Sequence, residues 1–105
     1  MNILFVCSRN KWRSRTAETI YKNQGTHNFK SAGTENSARI RVNLEHINWA
    51  DIIFVMEKKH KQRIQKKFDL NLRDYNFVIL DIEDNYQYMD EGLIQILKDS
   101  VDPYL

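Results

Sequence analysis

The sequence is poor in cysteine, proline and glycine, with one, one and three of them in 105 residues. A single cysteine excludes an internal disulfide and a two-cysteine redox relay, so Cys7 is either a buried small side chain or a nucleophile. So little proline and glycine gives no sign of a linker or a low-complexity segment. No apolar run approaches the roughly 20 residues that cross a bilayer. We therefore expect one cytoplasmic domain over residues 1–105, without a membrane partner.

The net charge of the chain is small, but the charged residues are unevenly distributed along it. The net charge is +2, yet residues 57–67 carry six Lys or Arg side chains and one acid, whereas residues 81–102 carry seven acids and one Lys. A short basic run is typical of a solvated helix face, so the sequence does not favour a nucleic-acid partner.

Four predicted strands, three of them continuous apolar runs, alternate with segments of helical periodicity. The predicted strands are Ile3–Val6, Asn28–Ala32, Ile52–Met56 and Phe77–Leu80. The predicted helices are Arg13–Asn23, a segment capped by Ser37 that runs to Asn48, Glu57–Phe68 and Asp90–Ser100. Such alternation predicts an α/β fold with a parallel sheet and its site at the carboxyl ends of the strands.

The first strand delivers Cys7 to a Cys-x5-Arg-Ser loop that ends in Arg13 and Ser14. A turn before a helix start directs backbone N–H groups at an oxyanion, and a guanidinium can clamp two phosphoryl oxygens. A thiolate at the bottom is the nucleophile, and the Ser14 hydroxyl can donate to the sulfur. Asn10 tolerates the positive φ that such a turn needs. The alternative, a buried cysteine and a surface arginine, does not explain why a strand precedes the loop and a helix follows it.

This loop predicts a cysteine-dependent phosphatase that forms a phosphocysteine intermediate and needs no metal and no cofactor. The predicted phosphate-binding residues are Ser8, Arg9, Asn10, Lys11, Trp12, Arg13 and Ser14. The histidines His27, His46 and His60 have no metal-ligand spacing, and we interpret them as structural or surface residues.

Residues Val6–Ser14 resemble the signature loop of the low-molecular-weight protein tyrosine phosphatases. The resemblance continues in Ser31–Thr34, in Ala50–Glu57 and in the acidic loop after the fourth strand. It implies a single-domain three-layer sandwich, with a four-stranded parallel sheet of order 2-1-3-4 and helices on both faces. It also implies protein-tyrosine phosphatase activity. The chain departs from the family at Arg9, Trp12 and Arg15, where the family usually has Gly, often a second Cys, and Pro.

The general acid of the family follows the fourth strand, and Asp84 occupies that place here, with Asn85 where the family has Pro. Asp81 and Asp102 are the other candidates; Asp102 begins an Asp-Pro-Tyr tripeptide but follows the last helix. The acidic loop could instead be a solvated connection whose acids cap turns.

Trp12, Tyr86 and Tyr88 are candidates for the wall of the substrate pocket, and the same aromatic rings could equally be packing residues. Two further functions stay open at this point. One is a catalytically silent phosphate- or nucleic-acid-binding module, and the other is a phosphatase of a small phosphometabolite or nucleotide. The expected partner is a phosphorylated protein or a small phosphoester.

Overall fold

A computed structural model describes residues 1–105 as four strands and four α-helices in alternation. The strands are β1 (Asn2–Cys7), β2 (Asn28–Gly33), β3 (Ile52–Val55) and β4 (Phe77–Ile79). The helices are α1 (Arg13–Tyr21), α2 (Leu44–Trp49), α3 (Lys58–Phe68) and α4 (Glu91–Val101). Two short 3-10 turns, Leu72–Asp74 and Asp102–Tyr104, complete the regular structure. No helix is both long enough and apolar enough to cross a bilayer.

All strand pairs are parallel and the sheet order is β2-β1-β3-β4, which confirms the predicted sheet. In this register Cys7 is opposite Gly33, and Val6 is opposite Val55. The carboxyl ends of β1, β2 and β3 therefore meet at one edge, and the residues that follow these strands are neighbours in space.

Two separate apolar clusters cover the two faces of the sheet. The first packs α1 and α4 on one face, through side chains such as Tyr21, Leu93 and Leu97. The second packs α2 and α3 on the other, through Ile47 and Ile64. The central strand is buried on both sides, with no exposed surface from Ile3 to Val6, which explains its continuous apolar run. The predicted three-layer arrangement is confirmed.

The prediction for the second helix was wrong at its start: α2 begins at Leu44, not near Ser37. Residues 37–43 instead continue beside β2, where Gly33 N donates to Ile40 O at 2.8 Å and Val42 N donates to Gly33 O at 2.9 Å. Asn43 is the cap, and its side chain accepts a hydrogen bond from His46 N at 2.8 Å. Residues 37–43 therefore form backbone hydrogen bonds with β2 in place of the helix that the spacing of their apolar residues predicted.

Candidate active site

Cys7 ends β1 at the bottom of a narrow cavity of about 30 Å³. The cavity is lined by Cys7, Ser8, Arg9, Lys11, Trp12, Arg13 and Asp84. The thiol is 3% exposed, its Sγ lies 2.9 Å from Ser14 Oγ, and it accepts the Asn10 N–H at 3.2 Å. The sulfur, the atom that would attack an electrophile, is therefore held between a hydroxyl and a backbone N–H.

The loop that follows Cys7 turns its carbonyl groups outward. Four of these carbonyls accept hydrogen bonds from residues 34–39, which lie after β2. The bonds run from Thr34 N to Cys7 O (3.0 Å), Glu35 N to Ser8 O (2.9 Å), Arg39 N to Arg9 O (2.9 Å) and Arg39 Nε to Asn10 O (3.1 Å). Because the N–H of a peptide unit points opposite to its C=O, the loop N–H groups are directed toward the inside of the turn. Such a ring of N–H groups is a binding site for an anion.

Gly33 allows the close approach that these bonds require. A Cβ atom on Gly33 would lie 2.6 Å from Ser8 O and 2.9 Å from the Arg9 carbonyl carbon. Both are backbone atoms and cannot rotate away, so a side chain at this position would push the loop from its place.

Buried side chains hold the back of the loop in one conformation. Asn10 has φ of 54°, as the sequence predicted, and is fully buried. Its Nδ2 donates to Ser14 Oγ and to Ser31 Oγ, each at 2.8 Å, and Ser31 in turn donates to Glu18. Asn10 and Ser14 thus lie behind the cavity, whereas the other predicted phosphate-binding residues line it.

Arg13 is the first residue of α1, and its guanidinium is buried although it lines the cavity. Nη1 donates to Ile82 O at 2.8 Å and lies 3.2 Å from Glu57 Oε2. Nε lies 3.6 Å from Asp84 Oδ1. Contacts with two carboxylates and one carbonyl hold the guanidinium at the cavity, and Nη2 makes none of these contacts.

The structure separates the three candidate acids. Asp84 lies at the cavity mouth with a side chain that is 55% exposed. Asp81 is exposed and does not line the cavity. Asp102 is at the far end of α1, where it accepts a hydrogen bond from Tyr21 OH. Burial, together with that bond, raises the pKa of Tyr21 above its usual range.

Of the three aromatic wall candidates, only Trp12 lines the cavity. Tyr86 packs against the apolar cluster under α4, and Tyr88 OH is 2.9 Å from Thr19 Oγ1. The ring of Tyr88 also lies 4.4 Å from the Arg15 guanidinium.

Two residues at this site, Glu57 and His60, were not predicted from the sequence as site residues. Both belong to the start of α3, which the register of β3 brings beside the loop. His60 is fully buried; its Nδ1 accepts the Glu57 N–H at 3.0 Å, and its Nε2 is 2.9 Å from Ser8 Oγ. Since Nδ1 is an acceptor, Nε2 carries the proton and donates to Ser8, whose own hydroxyl proton is free to face the cavity. The only sequence signal was the position of Glu57 directly after a buried strand.

The charges of these two side chains are set by burial and by Arg13. Burial lowers the pKa of His60 to about 3, with a further lowering from the Arg13 charge that Glu57 opposes in part. Burial alone would raise the pKa of Glu57, but the charges of Arg13 and Lys59 outweigh it and lower that pKa. The site therefore contains a neutral imidazole and an ionised carboxylate at neutral pH.

No group of three or more His, Cys, Asp or Glu side chains is arranged to hold a metal ion. The chemistry that the residues can support is attack by one thiol on a bound oxyanion, with one arginine and one exposed carboxylate at the mouth.

Comparison with solved structures places this geometry in a known fold. A YwlE mutant from Bacillus subtilis is 25% identical, with a TM-score of 0.63 over 98% of this chain and 90% of that one. A low-molecular-weight protein tyrosine phosphatase from T. tengcongensis is 20% identical, with a TM-score of 0.76 over 100% and 99% of the two chains. The chain has the fold of the low-molecular-weight protein tyrosine phosphatases. This confirms the resemblance seen in the sequence.

A third structure with this phosphatase fold is a Cys-to-Ser mutant of the YwlE arginine phosphatase with a phosphorylated active-site serine. It is 20% identical, with a TM-score of 0.72 over 98% of this chain and 95% of that one. No family model and no curated protein matches the chain.

Proposed function

We propose that the chain is a cysteine-dependent phosphomonoester hydrolase that acts on phosphorylated protein side chains, with phosphotyrosine as the first candidate. One observation carries the proposal: the Cys7 sulfur lies at the bottom of a loop whose first four carbonyls face outward, beneath Arg13 and Asp84. The fold, shared with tyrosine phosphatases and with an arginine phosphatase, supports the same reaction class. The cytoplasmic location expected from the sequence remains a prediction.

In the first chemical step the Cys7 thiolate attacks phosphorus, the S–P bond forms and the P–O bond to the leaving group breaks. The loop N–H groups and the Arg13 guanidinium bind the equatorial oxygens, where negative charge lies in the transition state. Asp84, at the mouth, gives its proton to the leaving oxygen. The phosphorylated serine in the YwlE mutant shows that this fold can hold a phosphoryl group on its nucleophile position.

In the second step a water attacks phosphorus, the S–P bond breaks and Cys7 leaves as a thiolate. Asp84, now a carboxylate, accepts the proton of that water, which restores the starting state. Ser14 donates to the sulfur as charge returns to it, at the 2.9 Å separation already present. Both steps are complete without a metal or a cofactor.

The deciding experiment is hydrolysis of p-nitrophenyl phosphate by the wild type and by Cys7→Ser. We expect the wild type to release phosphate and Cys7→Ser to lose at least about a thousandfold in kcat, because the hydroxyl is a far weaker nucleophile. Inorganic phosphate should still bind to the variant, because the loop N–H groups remain. A wild type that binds phosphate without any Cys7-dependent turnover would instead identify a silent binding module.

A second experiment tests the substrate. It compares kcat/KM for phosphotyrosine peptides, phosphoarginine peptides and small phosphometabolites at equal concentration. We expect phosphotyrosine peptides to have the highest kcat/KM. A higher kcat/KM for phosphoarginine peptides or for a small phosphoester would support the same chemistry but contradict phosphotyrosine as the substrate.

A further inference from the structure

A second cavity adjoins the catalytic loop, and its charged lining is entirely cationic. It has a volume of about 450 Å³ and is lined by Arg9, Lys11, Arg15, Ser37 and Arg39. Arg9 and Lys11 also line the Cys7 cavity, so the two cavities share a wall. A bound phosphoester in the first cavity would therefore have its neighbouring groups beside four positive charges.

Acidic side chains nearby neutralise only two of these cations. Arg9 Nε is 3.2 Å from Glu35 Oε2, and Arg39 is 4.0 Å from Glu18. Lys11 and Arg15 form no ion pair.

The two unpaired cations are held by aromatic rings instead of acids. Lys11 Nζ lies 5.3 Å from the centre of the Trp12 ring, and the Arg15 guanidinium lies 4.4 Å from that of Tyr88. A ring contact orients a cation while leaving its charge and its N–H donors available to an anion.

Arg39 is fixed in place by the loop itself. Its Nε donates to Asn10 O at 3.1 Å, so the position of its guanidinium follows the position of the phosphate-binding turn. A rigid arginine loses little conformational entropy on binding, which favours recognition of carboxylate or phosphate oxygens.

We propose that this cavity is a second anion-binding subsite that selects phosphopeptides with another negative group close to the phosphorylated residue. The group is the carboxylate of an Asp or Glu side chain or a second phosphoryl group, since both offer oxygen pairs to arginine. The proposal rests on the proposed function, which places the first phosphoryl group above Cys7.

The test measures kcat/KM for three phosphotyrosine peptides that differ only in the flanking residues: glutamines, glutamates on either side, or a nearby phosphoserine. We expect the wild type to prefer a glutamate peptide over the glutamine peptide by at least about fivefold at low salt, and less at high salt. A larger preference for the phosphoserine peptide identifies phosphate as the better ligand, and a larger preference for glutamate identifies carboxylate.

Arg15→Gln should lower that preference by about threefold, because it removes one unpaired cation from the cavity. Arg73→Gln is the matched control, since Arg73 lines a different cavity with Asp51 and Asn76, which precede β3 and β4 at the other edge of the sheet. It should retain the wild-type ratio. Equal rates on all three peptides, or equal losses in the two variants, would overturn the subsite.

Peptide affinity of the Cys7→Ser protein separates this proposal from the proposed function. Preferential binding of the acidic peptides without wild-type turnover would contradict the hydrolase and support the subsite. Turnover of p-nitrophenyl phosphate with no peptide preference would support the hydrolase and reject the subsite.

Discussion

Asp84 combines two properties that a general acid needs: a position at the cavity mouth and a side chain open to water for proton exchange. We predict that Asp84→Asn lowers kcat by about 100-fold for phenyl phosphate, whose leaving group needs a proton. For p-nitrophenyl phosphate, whose leaving group is stable as an anion, the loss should stay below about tenfold. Steady-state kinetics with both substrates checks this.

Asp81→Asn is the control for that experiment, because it removes the same charge from the same loop at a residue outside the cavity. This variant should lower kcat only slightly, and by the same factor for both substrates. Equal losses for both substrates in Asp84→Asn would show that Asp84 acts through its charge on Arg13 and not as a proton donor.

The residues of the loop could be predicted because one turn contains them all. Cys7 and Arg13 need only a strand before them and a helix after them, and both elements are present. His60 and Glu57 reach the site only through the pairing of β1 with β3, a contact between residues about 50 positions apart that no local pattern encodes. Trp12 could be placed at the cavity for the same local reason, whereas the packing of Tyr86 depends on α4.

At the scale of elements, the end of β2 positions the loop as much as α1 does. We predict that Gly33→Ala lowers the free energy of unfolding by about 2 kcal/mol, because its Cβ would overlap the backbone of Ser8 and Arg9. The displaced loop should also bind inorganic phosphate at least about tenfold more weakly. Chemical denaturation and phosphate titration measure the two effects.

Gly92→Ala serves as the matched control, because Gly92 is inside α4 and away from the loop. There a Cβ would approach two side chains and no backbone atom, Asp90 Oδ1 at 3.1 Å and Tyr86 Cε1 at 3.6 Å, and alanine is favoured over glycine in helices. Its unfolding free energy should stay within about 1 kcal/mol of the wild type, with phosphate affinity retained. A Gly33→Ala protein with wild-type phosphate affinity would show that the loop does not depend on this contact.

The ends of elements were predictable where a cap or a stop was clear in the sequence. Asp90, the predicted start of the last helix, is its cap, and its side chain accepts from Leu93 N at 3.1 Å. The predicted start of α2 was wrong because Ser37 has a side chain that can cap a helix, whereas Asn43, six residues later, is the cap in the structure. Backbone bonds to Gly33 decided between them, and those bonds depend on where β2 lies.

For the whole molecule, alternation of strands and helices predicted the parallel sheet, since right-handed crossovers leave few arrangements. The sheet order followed from the family resemblance and is confirmed. Composition could not show that His60, beside the site at the sheet edge, would be fully buried. That histidine has a consequence for the stability of the entire fold.

Burial of neutral His60 should make the fold less stable in mild acid. The pKa of His60 is lowered from 6.5 to about 3 in the folded state. Well above pH 6.5 neither state holds the extra proton, so its contribution is constant. Between pH 6.5 and about 3 the unfolded chain binds a proton that the folded chain does not, so stability falls by up to about 1.4 kcal/mol per pH unit.

His60→Gln should remove this part of the pH dependence. A glutamine can accept the Glu57 N–H and donate to Ser8, and it does not titrate. The free energies of unfolding of the two proteins should run parallel above pH 7.5, which is the internal control. From pH 6.5 to pH 5 the wild type should lose about 2 kcal/mol more than the variant. Curves that stay parallel to pH 5 would mean that His60 is protonated at Nδ1 in the folded protein, and that its hydrogen bond from the Glu57 N–H breaks before acid unfolding.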